Sequence, residues 1–279
     1  MSGLSIYDIP LLFGYVFFRN AIIGGSLAAI VCASVGLFLI LRKEAMIGDG
    51  VAHASFGGIA LGLYLGVYPL LTALLVALLS VIGISFMRKK GLAQSDAAIA
   101  VMMATGFSVG LILISLAGGF NVDLFAYLFG SILTISMTDL MLVTALGFST
   151  LFLLGLFYRE LLVITFDEDS ARLTGIPSGI ISISFNVLVA FTIVLSIKIV
   201  GVILVTALLV LPGLSALQLR MSFRGTMLAS ISLALAGVVG GLLISVIVNV
   251  ATSGVIVFTT VLLFILSVAY RKAGETYSA

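Results

Sequence analysis

Two side chains could do chemistry in a stretch where charge is least expected. Asp49 and His53 lie in Met46-Ile47-Gly48-Asp49-Gly50-Val51-Ala52-His53, between apolar runs, and His53 is the chain's only histidine. A spacing of i, i+4 puts both on one helix face, with Cβ atoms about 6 Å apart. Imidazole and carboxylate together suit Zn²⁺, Mn²⁺ or Fe²⁺ as ligands, or a proton as a relay. A plainer role stays open, in which the two hydrogen-bond and hold their helix together. Burying the acid in a bilayer costs at least about 2.5 kcal/mol on the mildest scales. The pair is therefore expected to face protein or a water-filled path. Gly50, Ala54 and Gly58 beside it form a small-xxx-small stripe suited to close helix packing.

A second polar stretch runs Thr165-Phe166-Asp167-Glu168-Asp169-Ser170-Ala171-Arg172-Leu173-Thr174-Gly175-Ile176-Pro177. Acids lead, a base follows, then glycine and proline. This order predicts a short helix capped by Asp167, ended by Gly175 at C′ and prevented from continuing by Pro177. It reads either as a solvated interfacial turn or as a docking helix for a partner. Asp96 is expected to cap the helix that follows it. No lysine follows a glycine, so no G-x-x-x-x-G-K phosphate loop exists, and no H-E-x-x-H occurs. Any ATP hydrolysis must come from another chain. Cys32 lacks a partner for an internal disulfide and reads as a small buried hydrophobe.

Composition dictates where these helices lie. The chain is 62% apolar and 9% charged, with a mean hydropathy of +1.38. A soluble domain uses about 25% charged residues to cover its surface. Most of this exterior must face lipid, and the 30 glycines fit helices packed closely there. A net charge of +2, spread along the chain, offers nothing to nucleic acid.

Spans of about 20 apolar residues are predicted at 20–41, 51–67, 69–87, 96–117, 138–158, 179–197, 199–219, 226–249 and 254–270. The 51–67 span is short and glycine-rich, and 199–219 contains Pro212-Gly213, so the expectation is eight to nine spans in an all-α, polytopic transmembrane bundle. The N-terminus lacks the features of a cleaved secretory signal, and residues 4–18 read as an interfacial segment. Arg42-Lys43, Arg88-Lys89-Lys90, Arg159, Arg172, Arg220, Arg224 and Arg271-Lys272 fall at ends that alternate to one side. The positive-inside rule makes that side cytoplasmic, with the N-terminus outside and the C-terminus inside. Arg19 and Lys198 are exceptions, expected to snorkel at span edges. No linker divides the chain, so residues 1–279 form one membrane domain.

With these residues in view, the sequence resembles the permease subunits of ABC transporters that import divalent metals such as zinc and manganese. The most specific element is Leu41-Arg42 followed by Gly48-Asp49-Gly50-Val51-Ala52-His53-Ala54 and Gly57. Ser95-Asp96, Asp123-Leu124 through Gly130, Phe166-Asp167 with Ala171 and Gly175, and Val200-Gly201 through Pro212 match in order. Gly50 and Ala52 depart from the family's frequent Ala and Ser, so the resemblance supplies no hydroxyl ligand beside the pair. It implies a type II importer permease in the plasma or inner membrane, and not an enzyme. Two copies of the chain would join two cytoplasmic ATP-binding subunits and an external metal-binding protein. Asp49 and His53 would contact the transported Zn²⁺, Mn²⁺ or Fe²⁺, with no covalently bound cofactor. The loop at about 160–178, with Asp167, Ala171, Arg172 and Gly175, would be the coupling helix. A stand-alone channel or proton-coupled metal carrier using Asp49 and His53 is the rival reading, and a purely structural membrane subunit is a third.

Overall fold

The computed structural model describes residues 14–119, 122–130, 136–202 and 205–277, and side chains 122–125 and 275–277 are outside that description. Most of the expected interfacial segment, at 4–13, lies outside the described residues. Twelve helices follow in order: α1 Val16–Leu41, α2 Met46–Leu65, α3 Pro69–Lys89, α4 Ser95–Leu116, α5 Val122–Phe129, α6 Met137–Leu156, α7 Tyr158–Phe166, α8 Glu168–Leu173, α9 Ser178–Val200, α10 Val205–Leu217, α11 Phe223–Val248 and α12 Thr252–Tyr277. Helices are what lipid demands, because each must satisfy its own backbone hydrogen bonds there.

Among the described residues, seven helices are long and apolar enough to cross a membrane: α1, α3, α4, α6, α9, α11 and α12. The glycine-rich α2, with Asp49 and His53, and the short α10 correspond to the two less regular segments at 51–67 and 199–219, which is roughly consistent with the eight to nine spans expected. Helix α2 begins at Met46 rather than at 51, so Asp49 lies in its first turn. Helix α10 has 13 residues, or about 20 Å of helix, too short to cross alone. Its chain leaves α9 at Gly201, which has φ +87° and lies so close to Gly130 that a Cβ on either residue would meet the other's backbone. The expected 199–219 span is therefore broken near its start.

Burial separates centre from rim. The apolar windows of α1 and α9 are 72% and 67% buried, against 22–33% for α3, α4, α6, α11 and α12. Helix α1 packs on α6, α9, α10 and α11, while α2 is sandwiched between α3 and α4. Phe38 of α1, fully buried, meets Phe185 of α9, Phe223 of α11 and Tyr158 of α7 at centroid distances of 6.1, 5.3 and 6.5 Å. This aromatic contact knits the two central helices to the segment leading into α8.

Two sequence expectations are corrected. Asp96 is not a cap: Gln94 holds that position, and Asp96 lies in the first turn of α4, where the helix dipole still favours an acid. Lys198 does not snorkel. It is 15% exposed and pairs with Asp139 at 3.2 Å. A mostly covered ammonium is stabilised by a facing carboxylate, which accounts for a lysine on the side away from most of the other basic residues.

Candidate functional site

Helix α2 carries Asp49 and His53 one turn apart, with Nε2 3.7 Å from Oδ1. That is longer than a hydrogen bond, so the two are neighbours without being locked to each other. Their side chains are 29% and 25% exposed respectively, on a helix whose remaining faces are mostly buried. Thr206, near the start of α10, donates to Asp49 Oδ1 at 2.9 Å. Phe107 of α4 meets the His53 ring edge-on at 5.8 Å and packs on Phe56 at 5.1 Å. The imidazole is thus held from one side by aromatic contact, and the carboxylate from the other by a hydroxyl. Thr206 was not singled out from the sequence. Its only signal is a hydroxyl in the apolar run that leads to Pro212, in a segment 157 positions away from Asp49.

The small-residue stripe is used inside the chain. A Cβ on Gly50 would lie 2.3 Å from Ile99 Cγ2, and one on Gly57 would lie 2.3 Å from the Gly106 carbonyl oxygen, both on α4. Ala54 faces Gly106, whereas Gly58 abuts Thr72 and Ala73 of α3. The stripe therefore aims the polar pair by clamping α2 between α3 and α4.

The donor types gathered here are those of a proton relay, a structural hydrogen-bonded pair or a cation site of few ligands. A carboxylate oxygen, an imidazole nitrogen and a hydroxyl converge, and all three can ligate a first-row divalent ion. Among the described residues no group of three or more His, Cys, Asp or Glu side chains is placed to hold a metal. Few ligands suit a transported ion, which has to leave as well as bind.

The residues expected in the coupling loop form a separate unit. Asp167 caps α8, accepting from the Ser170 backbone N–H at 3.0 Å and from its hydroxyl at 2.5 Å. These two bonds hold its carboxyl below the usual carboxylate range. Arg172 pairs with Glu168 at 2.8 Å and donates to Ser178 at 3.3 Å. Ala171 is buried, and Gly175 follows the helix with φ +82°. Leu173 is 89% exposed, an apolar side chain on a polar segment. No hydrogen bond or ion pair among the described residues joins α8 directly to Asp49 or His53.

The family model of the ABC 3 transport family matches residues 14–271. The chain belongs to that family. It is similar to the uncharacterized membrane protein slr2045 of Synechocystis sp., 33% identical over 92% of each chain. It is likewise similar to the manganese transport system membrane protein MntC of Halalkalibacterium halodurans, 31% identical over 96% of this chain and 91% of that one. Among solved structures, PsaBC from Streptococcus pneumoniae in complex with Fab superposes with a TM-score of 0.85 at 32% identity, covering 94% of both chains. This ABC 3 protein is a multi-pass membrane permease subunit rather than an enzyme, and ATP hydrolysis lies on a separate chain. The absence of a phosphate loop agrees with that division of labour.

Proposed function

We propose that the chain is the permease subunit of an ATP-driven importer of divalent first-row metal ions, manganese or zinc foremost and iron with them. Two copies would work with two cytoplasmic ATPase subunits and an external metal-binding protein. The N-terminus would lie outside and the C-terminus in the cytoplasm. The observation that carries this reading is the convergence of Asp49, His53 and Thr206, from helices α2 and α10, in a chain related to a manganese transport protein. Asp49 and His53 would hand the ion along the path, and Thr206 would orient the carboxylate. Helix α8, with Asp167, Ala171, Arg172 and Gly175, would receive the ATPase. Family membership favours this over a stand-alone channel or proton-coupled carrier.

The test is His53→Ala in the complete transporter, reconstituted in vesicles and supplied with radiolabelled Mn²⁺ or Zn²⁺. Uptake should fall by at least about tenfold while the chain inserts and assembles normally. Uptake within about twofold of wild type would remove His53 from the path, because losing one of so few ligands cannot be silent.

A further inference from the structure

The turn leading into α2 holds a buried acid that the metal pair does not use. Glu44 is 8% exposed. Its Oε1 accepts from Arg88 Nη1 at 2.8 Å and its Oε2 from Arg42 Nε at 3.1 Å. Arg42 ends α1 and Arg88 lies in the last turn of α3. One carboxylate therefore gathers the ends of two helices at the start of a third. The turn is tight: Lys43 has φ +58°, and the Glu44 N–H returns to the Leu39 carbonyl at 2.8 Å. Helix α2 starts at Met46, with Asp49 in its first turn. Where Glu44 is held, Asp49 is placed.

Arg42 extends the same contacts toward α8. Its guanidinium lies 5.1 Å from the centre of the Phe185 ring and reaches Ser182 Oγ at 3.4 Å, both on α9. One turn before Ser182, Ser178 accepts from Arg172 of α8 at 3.3 Å. Glu44, Arg42 and Arg88 line a single cleft of about 330 Å³ with Glu168 and Arg172. Arg42 Nη1 and Asn186 Oδ1 belong to residues lining that cleft, and both atoms are buried without a hydrogen-bond partner among the described residues. The cleft thus holds one unused donor and one unused acceptor beside the Glu168–Arg172 ion pair of α8, so Arg42 and Asn186 have spare capacity to change partners.

We infer that Glu44 is a positioning residue that ties the movement of α8 and the start of α9, through Arg42, to the placement of Asp49. The inference rests on reading α8 as the helix that meets the ATPase. A carboxylate is needed because two guanidinium groups converge on it. A neutral amide keeps a hydrogen bond but leaves like charges facing each other, so the turn is no longer held to α3.

The complete transporter in vesicles, with ATP hydrolysis and Mn²⁺ uptake measured together, tests it. In Glu44→Gln, hydrolysis should stay within about twofold while ions moved per ATP fall about tenfold. Glu44→Asp should restore most of the ratio, and Glu44→Gln with Arg88→Gln should be no worse than Glu44→Gln alone. An unchanged ratio in Glu44→Gln overturns the inference. So does a parallel fall in uptake and hydrolysis, or failure of both Glu44 variants to assemble, since each marks a merely structural role. Wild-type transporter that hydrolyses ATP but moves neither Mn²⁺ nor Zn²⁺ would instead sink the transport reading itself.

Discussion

Removing either half of the Asp139–Lys198 pair should destabilise the chain, and by unequal amounts. Asp139, 4% exposed, accepts from Lys198 at 3.2 Å, from the Tyr68 hydroxyl, and from the Ser136 backbone and hydroxyl at 3.0 and 2.7 Å. Among the described residues Lys198 meets Asp139 and the face of the Tyr127 ring, 4.9 Å away. In Lys198→Met the carboxylate keeps three donors, and the loss should be about 1–2 kcal/mol. In Asp139→Asn the ammonium stays buried with no counter-charge, which should cost about 3 kcal/mol. The double variant removes both charges and should lose about 1 kcal/mol, less than Asp139→Asn alone. For a chain near this length each kcal/mol moves the unfolding midpoint by about 2–4 °C. Asp139→Asn should then lower it by about 6–12 °C, and the double variant by about 2–4 °C. Thermal unfolding of the detergent-purified chain, read by size-exclusion recovery, measures all three. A Lys198→Met loss as large as that of Asp139→Asn, or a double variant equal to the sum of the singles, would refute the reasoning.

Gly57→Ala places a Cβ 2.3 Å from the Gly106 carbonyl oxygen. Backbone must then move, at a cost of about 1–3 kcal/mol in unfolding free energy. Gly155→Ala, where a Cβ meets nothing within 4 Å, is the matched control and should leave the midpoint unchanged or raised. Thr206→Val should cut Mn²⁺ uptake about threefold to tenfold while Thr206→Ser preserves it, because only the hydroxyl bond to Asp49 is at stake. Asp167→Ala should speed proteolytic cleavage around α8, and Asp167→Asn should speed it less, since Asn keeps the capping acceptor but loses the charge. The bonds that lower the Asp167 carboxyl contribute fully above the ordinary carboxylate range. They are lost as pH falls through the depressed value. In wild type, cleavage at α8 should therefore quicken only in strong acid.

The seven long spans and the i, i+4 relation of Asp49 to His53 were legible in the sequence because each is a local property. In lipid a helix satisfies its own backbone, so composition over about 20 residues is enough to find it. The capping of α8 is equally local: Asp167 and its Ser170 donors are three positions apart, and Gly175 takes the positive φ that ends the turn. The start of α2 was misplaced because Asp49 and the glycines dilute its apolar signal, and only Glu44, held by Arg42 and Arg88, shows where the turn stops. Which side chains meet across helices was decided by the tertiary structure alone. Thr206 reaches Asp49 from α10, Asp139 receives Lys198 from α9, and Gly50 and Gly58 turn to different neighbours, α4 and α3. A helix in water announces its buried face by alternating with polar residues. These helices are apolar on the lipid side and on the protein side alike, so nothing in their periodicity distinguishes a neighbouring helix from a lipid tail.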